Sequence, residues 1–251
     1  MKLKTLTAVM TATVCICMPA ATTFANPTTF GPLPGATFGG TGNPNSAVEV
    51  GIATVGSDTI TLGLAAQQRY QNPALGNDGN GTYFATTGVN YGNPANPTST
   101  VGVSTTLGAT WNFDYYVSIA GGGNLSDYSF VLQYALIPGA APIGSLNVNG
   151  IAPYLGFSPT GTIVQDSENL DFSFLGTSIP GLVSPPSGSF DPNATGNYAF
   201  LLDAYDGSTL VDQVAITVNV SAASAVGDSN GTNISLLLGL ASLGLYCKLK
   251  V

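Results

Sequence analysis

The chain has 251 residues, with five basic and thirteen acidic groups and no histidine. Between the terminal lysines, Arg69 is the sole basic residue against all thirteen carboxylates, a balance of −12 that repels phosphate backbones and excludes nucleic acid as a partner. Cys15, Cys17 and Cys247 lie at the two ends. The body therefore offers no disulfide, thiol nucleophile, imidazole base or soft metal ligand, and without lysine it has no Schiff-base or Walker-type chemistry.

In chain order, Lys2 and Lys4 precede an apolar, small-residue stretch from Leu6 to Ala21, and Thr23-Phe24-Ala25 forms a small-x-small site. These features predict a signal peptide over 1–25, cleaved between Ala25 and Asn26. Residues 26–46 are rich in Pro, Gly, Thr and Asn and read as an irregular lead-in. Residues 47–220 read as one antiparallel β-sandwich, long enough to bury its own core.

Strands are expected at Ala47–Val55 and Thr59–Ala66 around Gly56-Ser57-Asp58, and at Thr82–Thr87 after the turn Asn77–Gly81. The strongest signal is Trp111–Ile119. There Trp111, Phe113, Tyr115, Val117 and Ile119 share one face, opposite Asn112, Asp114, Tyr116 and Ser118. Tyr128, Phe130, Leu132 and Tyr134 repeat the pattern, and Leu170, Phe172 and Phe174 suggest another inward stripe. A final hairpin turns at Asp206-Gly207, and its second arm carries Val214, Ile216, Val218 and Val220 on one face. About eight to ten short strands with no helical periodicity give the mainly β reading. The buried set expected from these stripes is Trp111, Phe113, Phe130, Leu132, Phe172, Phe200, Ile216 and Val218.

The tail is a second signal. A linker at 221–233 leads to an apolar stretch from Ile234 to Cys247, then to Lys248 and Lys250. A helix over the 14 residues of that stretch is about 21 Å long against a hydrocarbon core of about 30 Å, a marginal span that the snorkelling lysines of a helix over 234–251 extend. The basic end is expected to stay in the cytoplasm.

Candidate sites in the body are few. Asp166, Glu168 and Asp171 cluster in sequence, and Asp203 and Asp206 flank a strand end. A glycosidase needs two carboxylates placed across a sugar ring, and nothing in the sequence fixes such a separation. Solvated or turn-forming acids account for them better. Asp78-Gly79-Asn80-Gly81-Thr82 has the alternate oxygens of a calcium loop without its bidentate glutamate, and an Asn/Gly hairpin explains it better. Tyr116 falls on the polar face of its strand and is the candidate for an exposed ligand surface. Arg69, alone among carboxylates, is expected to be fixed by a carboxylate or by backbone carbonyls. No catalytic residue, cofactor or metal ligand is expected.

The tail resembles the PEP-CTERM class of bacterial sorting signals, in the variant written VPDSG-CTERM. Val226, Asp228, Ser229 and Thr232 match the motif, while Gly227 stands in place of its proline and Asn230 in place of its glycine. The resemblance implies recognition and cleavage by an exosortase-like membrane protease or transpeptidase. Transient anchoring through the C-terminal helix would precede transfer to the cell surface or polysaccharide matrix. The body is similar to a recurrent group of exported proteins that carry such tails. The similar stretches are 47–51, Leu62-Gly63-Leu64, Arg69-Tyr70, Asn80–Phe84, Trp111-Asn112-Phe113, Gln165–Leu170 and Phe190–Tyr198. No activity travels with that similarity. The leading expectation is a non-catalytic exported surface or matrix protein. A carbohydrate-binding module and a carboxylate-dependent glycoside hydrolase are the alternatives, and polysaccharide is the remaining candidate partner.

Overall fold

The computed structural model describes residues 27–69, 74–90 and 108–223. The expected signal peptide with Ala25 and Asn26, the sorting residues Val226, Asp228, Ser229 and Thr232, and the basic end at Lys248 and Lys250 all lie outside the described residues. So does the expected C-terminal helix.

Alternating side chains and Gly-rich turns make the described chain mainly β. In order, its strands are β1 (Thr29–Gly31), β2 (Val48–Val55), β3 (Asp58–Gln68), β4 (Gly76–Asn77), β5 (Thr82–Thr86), β6 (Val89–Asn90) and β7 (Gly108–Ala109). They continue with β8 (Trp111–Ala120), β9 (Ser129–Tyr134), β10 (Gly144–Asn147), β11 (Ile163–Glu168), β12 (Val183–Ser184), β13 (Gly196–Asp206) and β14 (Thr209–Ser221). Among the described residues helix is confined to one turn of α-helix at Val148–Ile151 and three short 3₁₀ turns. Among the described residues no helix is long and apolar enough to cross a membrane.

One sheet runs β1-β2-β3-β8-β11 and is antiparallel throughout. A second large sheet runs β12-β10-β9-β13-β14-β5-β4, with β6 and β7 paired apart from both. It departs from the all-antiparallel expectation, because β14 pairs with β5 in parallel, Thr217 opposite Thr82. Alternation fixes which face of a strand is buried but not the direction of its neighbour, so the sequence pattern could not register this.

The two sheets share one core. Trp111 and Phe113 of β8 meet Tyr198 and Phe200 of β13 across it, with Phe113 and Phe200 stacked. Seven of the eight residues expected to be buried are so, each at most 3% exposed. Phe172 is the exception and is half-buried. The stripe at Leu170, Phe172 and Phe174 is not a strand. The chain leaves β11 at Glu168, and the Asn169 side chain turns it by accepting from the Asp171 amide.

The lead-in is more ordered than its composition suggests. Thr29–Gly31 pairs with β2, and the segment after it folds over the outer face of the first sheet. Gln165 of β11 pins it there, its Oε1 accepting from the amides of Thr37 and Phe38 at 2.7 and 2.8 Å. Phe38 is fully buried with φ 46, followed by Gly39 at φ 70, so a tight left-handed turn drops the ring under the strap. Leu33 packs in the notch left by Gly63, where an added Cβ would stand 2.8 Å from its side chain. The outer face of this sheet is therefore covered around Gly63, Tyr116 and Gln165, while Ile52 and Ile163 on the same face stay exposed.

Candidate functional site

The covered part of the first sheet's outer face carries polar side chains at consecutive ladder positions. Gln67 of β3 pairs with Asn112 of β8, and Asp114 of β8 pairs with Ser167 of β11. Period two places all four on the strap side of the sheet, opposite the aromatic stripe. Together with Phe38, Gly39, Gly40, Asn43, Arg69, Asp166 and Phe172, three of them (Gln67, Asn112 and Ser167) line a cleft of about 360 Å³.

Ser167 is the centre of this cluster. Its Oγ accepts from Gln67 Nε2 and from Asn112 Nδ2, each at 2.9 Å, and it stands beside Asp114 in the ladder. Asp114 Oδ1 also accepts from Gln67 Nε2 at 3.1 Å. Asp114 is fully buried, and burial raises its pKa to about 8, against the opposing pull of the Ser167 and Gln67 hydrogen bonds. Two buried acceptors of the cluster, Gln67 Oε1 and Asp114 Oδ2, have no hydrogen-bond partner.

Asn169 holds the cluster's lower end. Fully buried, it donates to the carbonyls of Ala109 and Trp111 and to Asn112 Oδ1, and accepts from the amides of Ala109 and Asp171. Beside it, Arg69 is 3% exposed, its backbone amide bound to Thr110 O and its guanidinium 5.2 Å from the Phe172 ring centroid. A cation over a ring face is a favourable seat for a lone guanidinium. Gly108 makes room for it, since a Cβ there would stand 1.2 Å from Nη1.

The acids singled out from sequence fall in different settings. Asp166 and Glu168 are hydrogen-bonded to each other on the edge strand. Burial is the main cause holding both carboxyls above the usual range, and for Glu168 the Asp166 charge adds to it. Carboxyls in mutual contact cannot flank a sugar ring from about 5 Å or more apart. Asp171 lies beyond the strand end. Asp203 is in the other sheet, held by Gln133, Gln213 and Tyr205, and Asp206 is exposed at the hairpin turn.

The turn at Asn77–Thr82 binds itself. Asp78 Oδ1 accepts from the amides of Asn80 and Thr82, and the Thr82 bond is the main cause lowering the Asp78 pKa. Tyr116 is not an exposed platform. It is 5% exposed, roofed by the lead-in, with its hydroxyl 3.2 Å from where a Cβ on Gly35 would stand. Among the described residues the exposed large aromatics are Phe84 on β5 and Tyr154 in a 3₁₀ turn, on separate elements and not in a row. A larger hollow of about 610 Å³ beside β9 and β10 contains Asn147 and Asn149, both already bound to backbone groups.

The roles of Gln67, Asp114, Ser167 and Asn169 escaped the sequence reading. Asp114 alternating within Trp111–Ile119 fell on the polar face, and Asp166 and Glu168, either side of Ser167, read as solvated or turn-forming acids. No family model, curated protein or solved structure matches the chain.

Proposed function

We propose that this chain is an exported, non-catalytic protein of the cell surface or extracellular matrix, delivered through its C-terminal tail and trimmed there by an exosortase-like membrane protease. The observation that carries this reading is the tail itself: a short polar motif at Val226–Thr232, an apolar stretch to Cys247, and Lys248 and Lys250 at the end. A leader with the cleavage pattern Thr23-Phe24-Ala25 supports export from the other terminus. The body supports a non-enzymatic role towards other molecules. Its adjacent buried acids are bound to each other or to amides, and neither histidine nor lysine stands beside them.

Mass spectrometry of both ends, in membrane and outer fractions, tests the reading. The expected result is a chain starting at Asn26 in both, with the tail present in the membrane fraction and removed beyond Val226–Thr232 outside. Lys248→Glu with Lys250→Glu is expected to impair retention in the membrane. Recovery of the outer form with Val251 attached would overturn the processing step.

A further inference from the structure

We propose that the outer face of the second large sheet, around Gln133, Gln213 and Tyr205, binds a neutral polysaccharide. The inference rests on the reading of the chain as a surface or matrix protein and names the chemistry of its partner. Charge, fixed polar groups and shape carry it together.

The body has a balance of −12, yet this face is almost without charge. Among the described residues, and short of the hairpin end at Asp206, the outward positions of β9, β10, β13 and β14 hold one carboxylate, Asp203, and no basic residue. Asp203 is hidden at 1% exposure. An anionic polymer is repelled by the body as a whole, and a cationic one finds its counter-charges on other surfaces. Amides and hydroxyls instead match the alternating donors and acceptors of uncharged sugar rings.

The polar groups are held in place before any ligand arrives. Asp203 stands opposite Val131 of β9 and Gln213 of β14, one row from the pair Gln133 and Leu201. Gln213 Nε2 donates to Asp203 Oδ1 at 2.7 Å, and Gln133 Nε2 donates to Oδ2. The Tyr205 hydroxyl donates to the same Oδ2 at 3.2 Å. Both glutamines and the tyrosine stay half-buried. Each amide has one N–H committed to Asp203, which fixes its plane and leaves a carbonyl oxygen and a second N–H to offer. Side chains fixed in this way lose little freedom on binding.

The fan opens into the hollow of about 610 Å³ beside β9 and β10. Val131 and Ser129, the ladder partners of Asp203 and Tyr205, line it. Ser145 and Ser184, paired across β10 and β12, add hydroxyls to its far side. Among the described residues no charged side chain lines it. Asn147 bridges the Gly150 amide and the Gly181 carbonyl, and Asn149 ties Leu125 and Tyr128 to Phe130, so the rim is stiff. With no exposed aromatic row, recognition depends on several hydrogen bonds, each of small net worth, and needs a polymer rather than one sugar.

Affinity electrophoresis of the full-length chain in mild detergent tests this, in gels holding dextran, galactomannan, xyloglucan or a β-1,3-glucan, with alginate and chitosan as charged controls. The expected result is retardation by at least one of the four neutral polymers and none by alginate. Gln133→Ala with Gln213→Ala should weaken binding about tenfold. Ser145→Trp, which crowds the hollow from the neighbouring strand, should abolish it, with circular dichroism reporting that the β fold is retained. Unchanged mobility in all four neutral gels would overturn the proposal, as would retardation that survives both variants. So would a concentration-dependent dimer that Ser145→Trp disperses while no glycan is bound, since the face would then join copies of this chain. The surface reading fails separately: a chain that binds glycan but never reaches the outer fraction would refute that reading and leave the site standing.

Discussion

Phe113 and Phe200 stack across the core with ring centroids 4.5 Å apart and planes within 26° of parallel. Each is fully buried, one on β8 and the other on β13, in the facing sheets. Trp111 leans edge-on against the same Phe200 at 6.2 Å. Aromatic pairs of this kind add stabilisation beyond the area they bury. Phe200→Ala is therefore expected to cost about 3–5 kcal/mol, read from chemical denaturation. Phe200→Leu should cost less than half as much. Equal losses for the two would mean that the ring contacts add nothing.

Asn169 is the second determinant of the fold's lower end. Its amide serves three acceptors and its oxygen two backbone donors, with no solvent to replace any of them. Asn169→Ala leaves buried carbonyls and amides unpaired and should cost at least about 3 kcal/mol, since each such group carries a penalty of about 1–3 kcal/mol. Asn169→Asp keeps the shape but loses the donors, and it should be nearly as damaging. A Tm within error of wild type for either variant would show that the bonds are not held in solution.

The strap makes a more local prediction. Only Gln165 bridges from β11 to the Thr37 and Phe38 amides, through two short bonds to one oxygen. Gln165→Ala should free the Gly39–Gly42 turn for cleavage by a non-specific protease such as subtilisin, while the β core between Val48 and Ser221 survives. Unchanged cleavage kinetics would mean that Phe38 and Leu33 hold the strap by packing alone.

These residues mark where sequence reasoning reached its limit. Period two in Trp111–Ala120 and in the Gly196–Ser221 hairpin was enough to place the core, because burial of one face dictates alternation. Alternation cannot tell whether the polar face is wet. Asp114, Asn112 and Gln67 have the residue types of a solvent face, yet the strap that roofs the sheet is pinned by a contact spanning 128 positions in the chain. Tyr116 was misplaced for the same reason. Phe172 shared an apparent stripe with Leu170 and Phe174, but the strand ends before it, where the Asn169 side chain turns the backbone.

The buried acids set the sign of the pH dependence. Asp114 has a pKa raised by burial to about 8, and burial likewise raises Glu168, with Asp166 against it. The neighbouring groups are Tyr115, whose hydroxyl is pushed up by burial and then by Glu168 and Asp166, and Arg69 in the cleft. A carboxyl with a raised folded pKa is protonated in the native state while its unfolded form has lost the proton. Over that window the native state binds more protons, so stability falls as pH rises. The loss begins near the unfolded carboxylate value of about 4 and, for Asp114, levels off above about 8. The protein should therefore be most stable in mild acid, with a slope of up to about 1.4 kcal/mol per pH unit for each proton retained. Asp114→Asn supplies a neutral side chain of the same shape, able to accept from Gln67 Nε2 and to donate to Gln67 Oε1. It should flatten the profile by about one proton between pH 5 and pH 8 and be more stable than wild type at the alkaline end. Urea denaturation of both proteins across that range measures the two slopes. A wild-type profile that rises with pH, or an Asp114→Asn variant with an unchanged slope, would show that Asp114 is ionised in the fold.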